Sequence, residues 1–324
     1  MARAPQNGKE KNGEGKWFFI IGVLLVLWLI SMIIAGVLSF IFSVGNGSDI
    51  SAPIGQGNIA IIPIKGEITS EKTTTIFSQG SVSSEQTLKF IDTANNDPSV
   101  KAIIFDIDSP GGSPVASEDI MNAVKESRKY GVAVIRDLGT SGAYWVASAA
   151  DKIIASRLSL TGSVGVYSSY LDFRGTFDKY GVTYERLVGG KYKDIGTPFR
   201  NMTDEERYIF QDKIGKIHSY FLNSVAENRN LTQGQIAVIK DGEFFTGEEA
   251  MQYGLIDDYG NINNAVKLIE QNFNMTGKTV EYKQKEGFFS SLMSTISKPA
   301  FYVGQGIGYA MRDSSFQSAP NVRT

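Results

Sequence analysis

Cysteine is absent from this chain of 324 residues, and histidine occurs once, at His218. Without cysteine the chain has no disulfide, no thiolate metal ligand and no Cys–His catalytic pair. A single imidazole is too little for a histidine-based zinc site. We therefore expect no metal and no cofactor, and a catalytic serine would have to take its base from His218 or from a lysine.

The setting of His218 argues against a catalytic role. It lies in the segment KIGKIHSYFLNSV, where apolar residues recur at helical spacing. A packing or solvated histidine is favoured there. A lysine is therefore the leading candidate for the base.

Excess charge is also lacking, because the net charge is only −2, and nothing indicates a nucleic-acid partner. Residues 17–42 form a run of 26 without a charge. As a helix this run would measure about 39 Å, against about 30 Å for the hydrocarbon core of a bilayer. A cleaved signal peptide fits less well, since its apolar region spans only about 7–15 residues. We predict a transmembrane signal anchor over residues 17–42, in contact with membrane lipid.

Basic residues lie on one side of this run only. Arg3, Lys9, Lys11 and Lys16 precede it, and residues 43–57 contain no lysine or arginine. The positive-inside rule then predicts a cytoplasmic tail over residues 1–16 and an extracytoplasmic body, in a single-pass protein of the cell membrane. The glycines of residues 43–57 indicate a flexible linker before a folded domain at 58–283. Residues 284–324 lose the strand–helix rhythm and are predicted to form a partly disordered C-terminal arm.

Within the body, apolar strands alternate with amphipathic helices. Predicted strands cover 59–64, 102–107, 132–135, 152–155 and 182–188, and predicted helices cover 83–96, 117–129, 141–150 and 203–230. Ser83 with Gln86 forms a capping box, and Thr203 caps a helix whose first turn is acidic. This succession predicts an α/β fold with parallel strands.

Four motifs carry the candidate chemistry: DSPGGSP at 108–114, TSGAYWVAS at 140–148, LTGSVGV at 160–166 and GKYKDIGTPFRNMT at 190–203. The first could be only a turn, the second a helix start capped by Thr140 or Ser141, and the third a strand bounded by glycines. However, the glycine turn follows a buried strand and opens a helix, where backbone N–H groups can stabilise an oxyanion. A serine at a helix start keeps its hydroxyl outside the helix.

In this order and spacing the four motifs resemble the signal peptide peptidase family, type A, over roughly residues 58–275. The resemblance implies a membrane-anchored Ser–Lys peptidase with a Clp protease/crotonase-like fold and an N-terminal transmembrane helix. A single copy of the motifs indicates the short, single-domain branch. The resemblance also implies peptide substrates, chiefly cleaved signal peptides, and a homo-oligomeric ring whose neighbours share each active site.

The resemblance assigns roles residue by residue. Ser141 is implied as the nucleophile and Lys193 as the general base, with Ser163 orienting the lysine amine. The oxyanion hole is implied to combine the amide of Gly142 with that of Gly111 or Gly112.

A lysine base must lose its charge first. An ordinary amine, with a pKa of about 10.4, is neutral in only about one molecule in 2,500 at pH 7. We therefore expect Lys193 to lie in a dry pocket among hydroxyls, with Asp194 pointing away. Lys191 is the rival base, and Lys152 is a third candidate.

Two other classes of function stay open at this point. A crotonase-like acyl-transfer enzyme would use the same oxyanion turn, although an extracytoplasmic site does not suit coenzyme A. A non-catalytic membrane scaffold on the same fold is the second alternative, and the presence of both Ser141 and Lys193 argues against it.

Overall fold

The computed structural model describes residues 14–45, 56–71 and 80–283; within the first of these ranges it describes side chains only for residues 20–36. The predicted C-terminal arm at 284–324 lies outside the described residues, as do most of the predicted tail at 1–16 and most of the linker at 43–57. The chain divides into two units, and Ser51–Lys283 is the larger one.

The smaller unit contains helix α1, Glu14–Gly45, which includes the predicted transmembrane run. The described side chains of α1, residues 20–36, are exposed and largely apolar. Among the described residues, no helix meets the length and hydropathy that a membrane span requires. The transmembrane helix at 17–42 is therefore not confirmed and stays a prediction.

The larger unit alternates strands and helices. Its strands are β1 (Ile59–Lys65), β2 (Glu67–Thr69), β3 (Ser81–Ser83), β4 (Ala102–Ser109), β5 (Tyr130–Thr140), β6 (Lys152–Ala155), β7 (Leu160–Gly162), β8 (Phe244–Thr246), β9 (Asp258–Tyr259) and β10 (Thr279–Glu281). Its helices are α2 (Ser84–Asn96), α3 (Pro114–Lys125), α4 (Gly142–Ser148), α5 (Arg174–Tyr180), α6 (Asp204–Arg229), α7 (Gln233–Ile239), α8 (Gly247–Gln252) and α9 (Ile262–Phe273).

Eight strands form one sheet in the order β10-β1-β4-β5-β6-β9, with β7 beside the second half of β5 and β8 beside β7. Within this sheet the pairings are parallel except that of β7 with β8. A mixed α/β fold with a mainly parallel sheet is therefore confirmed. Because the end of β5 pairs with β7, Thr140 lies opposite Gly162, and two of the sequence motifs meet at one edge.

Both faces of the sheet are buried. Alternate residues of β4 point to opposite sides, so Ile103 and Phe105 join the larger apolar cluster while Ile104 joins a smaller one with Ala265 and Ile269 of α9. This two-sided burial explains why β4 is a nearly continuous apolar run. The motifs DSPGGSP and TSGAYWVAS lie at the carboxyl ends of β4 and β5.

One predicted strand is wrong. Residues 182–188 form no strand in the described structure and are exposed throughout. Their alternating sequence, VTYERLV, suits a strand, but strand formation needs a neighbouring strand, and none lies beside them. They belong to an exposed region, residues 167–200, that contains α5 and that we call the lysine segment.

Other predictions differ from the structure only at their ends. Helix α3 begins at Pro114, before the predicted start at 117, since a proline suits the first helical position. Helix α6 begins after Thr203 with a capping box to Glu206, as its sequence predicts, and ends before Asn230. The short strands β2, β3 and β8 were not predicted, because three residues carry too little periodicity.

Candidate active site

Ser141 occupies a sharp turn between β5 and α4. Its φ of 54° and ψ of −128° lie in a region that costs a non-glycine residue about 1–3 kcal/mol. The Ser141 N–H donates to the Gly162 carbonyl at 2.8 Å, which fixes the turn to β7. The Ser141 hydroxyl makes no capping bond to α4 and is half-exposed, so it is available to a substrate.

The glycine turn packs directly on this serine. Gly111 has a φ of 92°, and a Cβ atom there would lie 2.6 Å from the Gly142 nitrogen and 3.0 Å from the Ser141 Cβ. Such approach is possible only without a side chain at Gly111. The structure therefore brings the first two motifs into contact.

The next glycine is held by β2. Ile68 donates its N–H to the Gly111 carbonyl at 2.9 Å and accepts from the Ser113 N–H at 2.8 Å. A Cβ atom on Gly112 would lie 2.1 Å from the Ile68 carbonyl oxygen. This bridge leaves the Gly112 N–H pointing away from β2.

The two glycines of this turn differ in what their amides do. The Gly111 N–H donates to the Ser109 hydroxyl at 3.1 Å, whereas the Gly112 and Gly142 N–H groups have no acceptor within the described part of the chain. A Cβ atom on Gly142 would lie 3.5 Å from the Gly112 nitrogen, so these two residues are neighbours. Of the two glycines left open by the sequence, Gly112 has the amide that is free to bind an oxyanion. Ser109 was missed by sequence reasoning, although it stands inside DSPGGSP.

Ser163 follows β7 at the same edge of the sheet. It also has a positive φ, 53°, and its N–H donates to the Glu243 carbonyl at 2.8 Å. The preceding residue, Gly162, is the acceptor for Ser141. The structure thus brings Ser141, Gly111, Gly112, Gly142 and Ser163 together from three motifs.

Lys193 is not brought into this group within one chain. It lies in a turn of the lysine segment, where its N–H donates to the Gly190 carbonyl at 3.2 Å, and its side chain is exposed. In the described structure its amine has no hydrogen bond or ion pair with Ser141 or Ser163. The dry pocket expected for this lysine is absent from the described single chain.

The rival lysines are both paired with carboxylates. Lys191 contacts Glu205, and this hydrogen bond raises the pKa of Lys191 above its ordinary value, so a smaller fraction of this amine is neutral and able to accept a proton. The Lys152 amine lies 3.6 Å from the Asp257 carboxylate. The expectation for Asp194 also agrees with the structure, since this carboxylate binds Arg186 and Arg200. Lys193 is therefore the one of the three without an ion pair in the described residues.

His218 lies on α6, half-buried, with its Nε2 atom 3.1 Å from the Val164 carbonyl oxygen. A carbonyl is only an acceptor, so Nε2 donates its hydrogen there. This bond ties α6 to the residue after Ser163. His218 therefore has a structural contact and no hydrogen bond to Ser141.

A serine on a strained strand-to-helix turn, with free amides beside it, is the arrangement of α/β serine hydrolases. Comparison with known proteins gives the particular family. The chain matches peptidase family S49 over residues 123–276. It is 34% identical over 300 residues to a Methanocaldococcus jannaschii protein named as a protease, covering 90% of this chain and 93% of that protein.

A second relative is the chloroplastic serine protease SPPA of Arabidopsis thaliana, 30% identical over 68% of this chain and 33% of its own length. A solved structure of a mutant of the membrane-bound stomatin-specific protease 1510-N matches 66% of this chain and 85% of its own, with 17% identity and a TM-score of 0.42. That score is too low to support a conclusion. The two sequence relatives and the family match suffice: the chain belongs to peptidase family S49 and is a serine peptidase.

Proposed function

We propose that this protein is a membrane-anchored serine endopeptidase that uses Ser141 as nucleophile and Lys193 as general base. The observation that carries the proposal is the strained turn at Ser141, which lies beside the amides of Gly112 and Gly142, both without an acceptor in the described part of the chain. A positive φ at a serine is retained only when the surrounding structure enforces it, and such strain concentrates at functional sites.

In the proposed reaction the Ser141 Oγ forms a bond to the substrate carbonyl carbon, and its proton passes to the Lys193 amine. The amides of Gly112 and Gly142 stabilise the oxyanion, and Ser163 orients the amine. The C–N bond then breaks as Lys193 returns the proton to the leaving amine. Water attacks the resulting ester by the same route and releases Ser141.

We propose further that a neighbouring subunit completes the site in a homo-oligomeric ring. Two observations support this: Lys193 is exposed in the single chain, and the lysine segment exposes large apolar side chains, among them Tyr167 at 89% and Leu187 at 94%. Exposed apolar surface of this kind is typical of an interface. A closed head-to-tail ring would make every site equivalent and would cover these side chains.

Membrane anchoring and substrate class belong to the same proposal. The uncharged run at 17–42, its helical structure and the basic residues before it support a single-pass anchor with an extracytoplasmic catalytic domain. A site near the bilayer suits cleaved signal peptides, which are apolar and membrane-proximal. The parallel sheet with a glycine-rich oxyanion turn also supports a Clp protease/crotonase-like fold.

A fluorophosphonate probe tests the nucleophile, since only an activated serine reacts with it. The wild-type protein should be labelled, whereas Ser141→Ala should not be. Lys193→Ala should remove nearly all labelling and peptide cleavage, and His218→Ala should keep most of both. Loss of activity in folded His218→Ala, or full activity in Lys193→Ala, would overturn the Ser–Lys dyad.

Mixing two inactive variants tests the shared site. Co-assembled Ser141→Ala and Lys193→Ala chains should recover activity, because about a quarter of the interfaces in a randomly mixed ring would join an intact serine to an intact lysine. Mixed rings without activity would place the dyad within one chain.

A further inference from the structure

A cluster of four charged side chains adjoins the proposed base. Asp194, the residue after Lys193, accepts from Nε and Nη2 of Arg186 at 2.7 Å and from Nε and Nη2 of Arg200 at 3.0 Å. An ionised carboxylate has about four lone-pair sites. All four are therefore occupied, and none remains for the neighbouring amine.

Arg200 also joins this cluster to the start of α6. Its two terminal nitrogens donate to Glu206 at 2.8 Å and 2.6 Å. Glu206 is 3% exposed and accepts from the Thr203 N–H at 2.9 Å as part of the capping box. The turn that carries Lys193 is thus tied to the first turn of a 26-residue helix.

The charged side chains around Lys193 pair with one another and not with Lys193. The charged and titratable groups in contact with this turn from its own loop and from α6 are Arg186, Lys191, Tyr192, Asp194, Arg200, Glu205 and Glu206. Arg186 and Arg200 neutralise Asp194 and Glu206, while Lys191 and Tyr192 bind Glu205. The two arginines hold the pKa of Asp194 well below its ordinary value, so this carboxylate stays ionised and stays bound to them.

We propose that Arg186 and Arg200 are positioning residues for the base: they keep the Asp194 carboxylate away from the Lys193 amine and fix the lysine turn to α6. The inference rests on the proposed role of Lys193. A carboxylate released beside that amine would pair with it and favour its charged form. A charged amine cannot accept the proton of Ser141, so the arginines act through Asp194 and need not touch the substrate.

The sharpest test removes first an arginine and then the carboxylate it holds. Arg200→Gln should move the acid limb of the pH–activity profile upward by about half a pH unit, because Asp194 then keeps only its two hydrogen bonds from Arg186 and is held less firmly away from an exposed amine. The double variant Arg200→Gln/Asp194→Asn has no carboxylate at position 194, next to Lys193, so its limb should return toward the wild-type position. Glu205→Gln is the matched control, since it breaks an ion pair on the same turn of α6 and should leave the limb unchanged.

Acylation of Lys193 by acetic anhydride gives a readout that needs no activity. Only the neutral amine reacts, so Arg200→Gln should slow the labelling of Lys193 about threefold at a fixed pH, relative to Lys216 in the same sample. The double variant should restore the rate. Thermal unfolding checks that each variant folds. If Arg200→Gln does not fold, the milder Arg186→Gln, at a more exposed residue, should give a smaller shift of the same sign.

The outcomes separate this inference from the proposed function. The positioning role would be overturned if Arg200→Gln lowered activity at every pH and left the acid limb of its profile unmoved. A limb that stays shifted in the double variant would overturn it as well. If Lys193→Ala is active while the Arg200→Gln variants show the expected changes in acylation of Lys193, the Ser–Lys dyad is overturned. Only the effect of the arginines on the Lys193 amine then remains. Inactive Lys193→Ala with unchanged labelling would overturn the positioning role alone.

Discussion

The proposed nucleophile and the proposed base are held by very different parts of the molecule. Ser141 lies where β5 ends, and bonds from β7 and close packing of Gly111 and Gly142 fix its backbone on several sides. Lys193 lies in an exposed turn that contacts its own segment and the start of α6. The central sheet thus fixes Ser141, whereas the turn that carries Lys193 is held outside its own segment by the start of α6.

In the proposed ring, this difference indicates which half of the site a neighbouring subunit would complete. A strained residue keeps its geometry only on a rigid support, and the central sheet supplies one. The lysine segment buries few of its side chains, and segments of that kind have low local stability. We expect the serine half to be preformed in an isolated chain and the lysine half to become ordered for catalysis on assembly.

The largest effect on peptide cleavage should come from adding a side chain next to Ser141, in the rigid half of the site. A Cβ atom on Gly142 would lie 2.2 Å from the Ser117 Oγ and 2.9 Å from the Ser117 Cβ; since turning the hydroxyl aside leaves the second contact, we expect Gly142→Ala to displace the amide next to the nucleophile. Loss of one oxyanion donor costs about 100- to 1,000-fold in kcat. We expect a loss of this size in peptide cleavage for Gly142→Ala.

Gly215→Ala on α6 is the matched control, because its Cβ atom would meet nothing within 4 Å. It should keep full activity. Adding Ser117→Gly to Gly142→Ala removes the obstructing side chain and should restore part of the activity. Full activity in Gly142→Ala alone would show that the serine half tolerates displacement and is not rigid.

The second effect probes the lysine segment. Leu187→Asp places a charge on a side chain that is 94% exposed in the single chain, so the folded subunit should be unaffected. In a ring the same charge would be buried without a partner, which costs several kcal/mol. We expect Leu187→Asp to dissociate the assembly and to lower activity at least tenfold, or about 1.4 kcal/mol.

Light scattering at several protein concentrations measures the dissociation of the Leu187→Asp assembly, and peptide cleavage at the same concentrations measures its activity. Leu158→Asp is the control, since Leu158 is also largely exposed but lies outside the lysine segment. An intact, active oligomer of Leu187→Asp would show that this part of the segment is not an interface.

The two regions also differ in how well sequence predicted them. The central strands β1, β4, β5 and β6 and the helices α2, α3, α4 and α6 were predicted because two-sided burial and helical periodicity are local patterns, whereas the short strands β8, β9 and β10 and helix α9 were not predicted. The same reasoning failed at 182–188, where an alternating pattern has no strand to pair with. Whether that pattern becomes strand, loop or interface depends on neighbours that the local sequence does not specify.

The site divides in the same way. Turn chemistry alone pointed to the glycines and to Ser141, because a strand followed by Gly-Gly or Ser-Gly and then a helix restricts the backbone. Lys193 was singled out over Lys191 only by family resemblance. The ion pairs that hold its turn link Arg186 and Arg200 to Asp194 and Glu206, a cluster spread over residues 186–206, and no periodicity in the sequence predicts them.

Acid should release the lysine segment before it unfolds the sheet. The hydrogen bonds from Arg200 lower the pKa of Glu206 from its ordinary 4.5 to about 2. A depressed carboxyl pKa stabilises the fold above the ordinary value, and this stability is lost as pH falls from about 4.5 through about 2. Hydrogen exchange should therefore show faster exchange at residues 190–203 than in β4 and β5 over that range. Glu206→Gln should show the faster exchange at residues 190–203 already at pH 7. Equal acceleration of exchange in that segment and in the two strands would contradict the difference in stability between the two regions.

The smallest effect concerns the strain at Ser141 itself. Glycine adopts a φ of 54° without the penalty that alanine meets, so Ser141→Gly should be more stable than Ser141→Ala by about 1 kcal/mol in free energy of unfolding. Both variants lack the hydroxyl and should be inactive, so the difference isolates the backbone. At Ser219, in the interior of α6 and exposed, the order should reverse, because glycine is about 1 kcal/mol worse than alanine in a helix. Urea unfolding at one protein concentration measures all four variants. If Ser141→Gly were no more stable than Ser141→Ala, the turn would not be strained, and the rigid half of the site would lose its main distinction from the lysine segment.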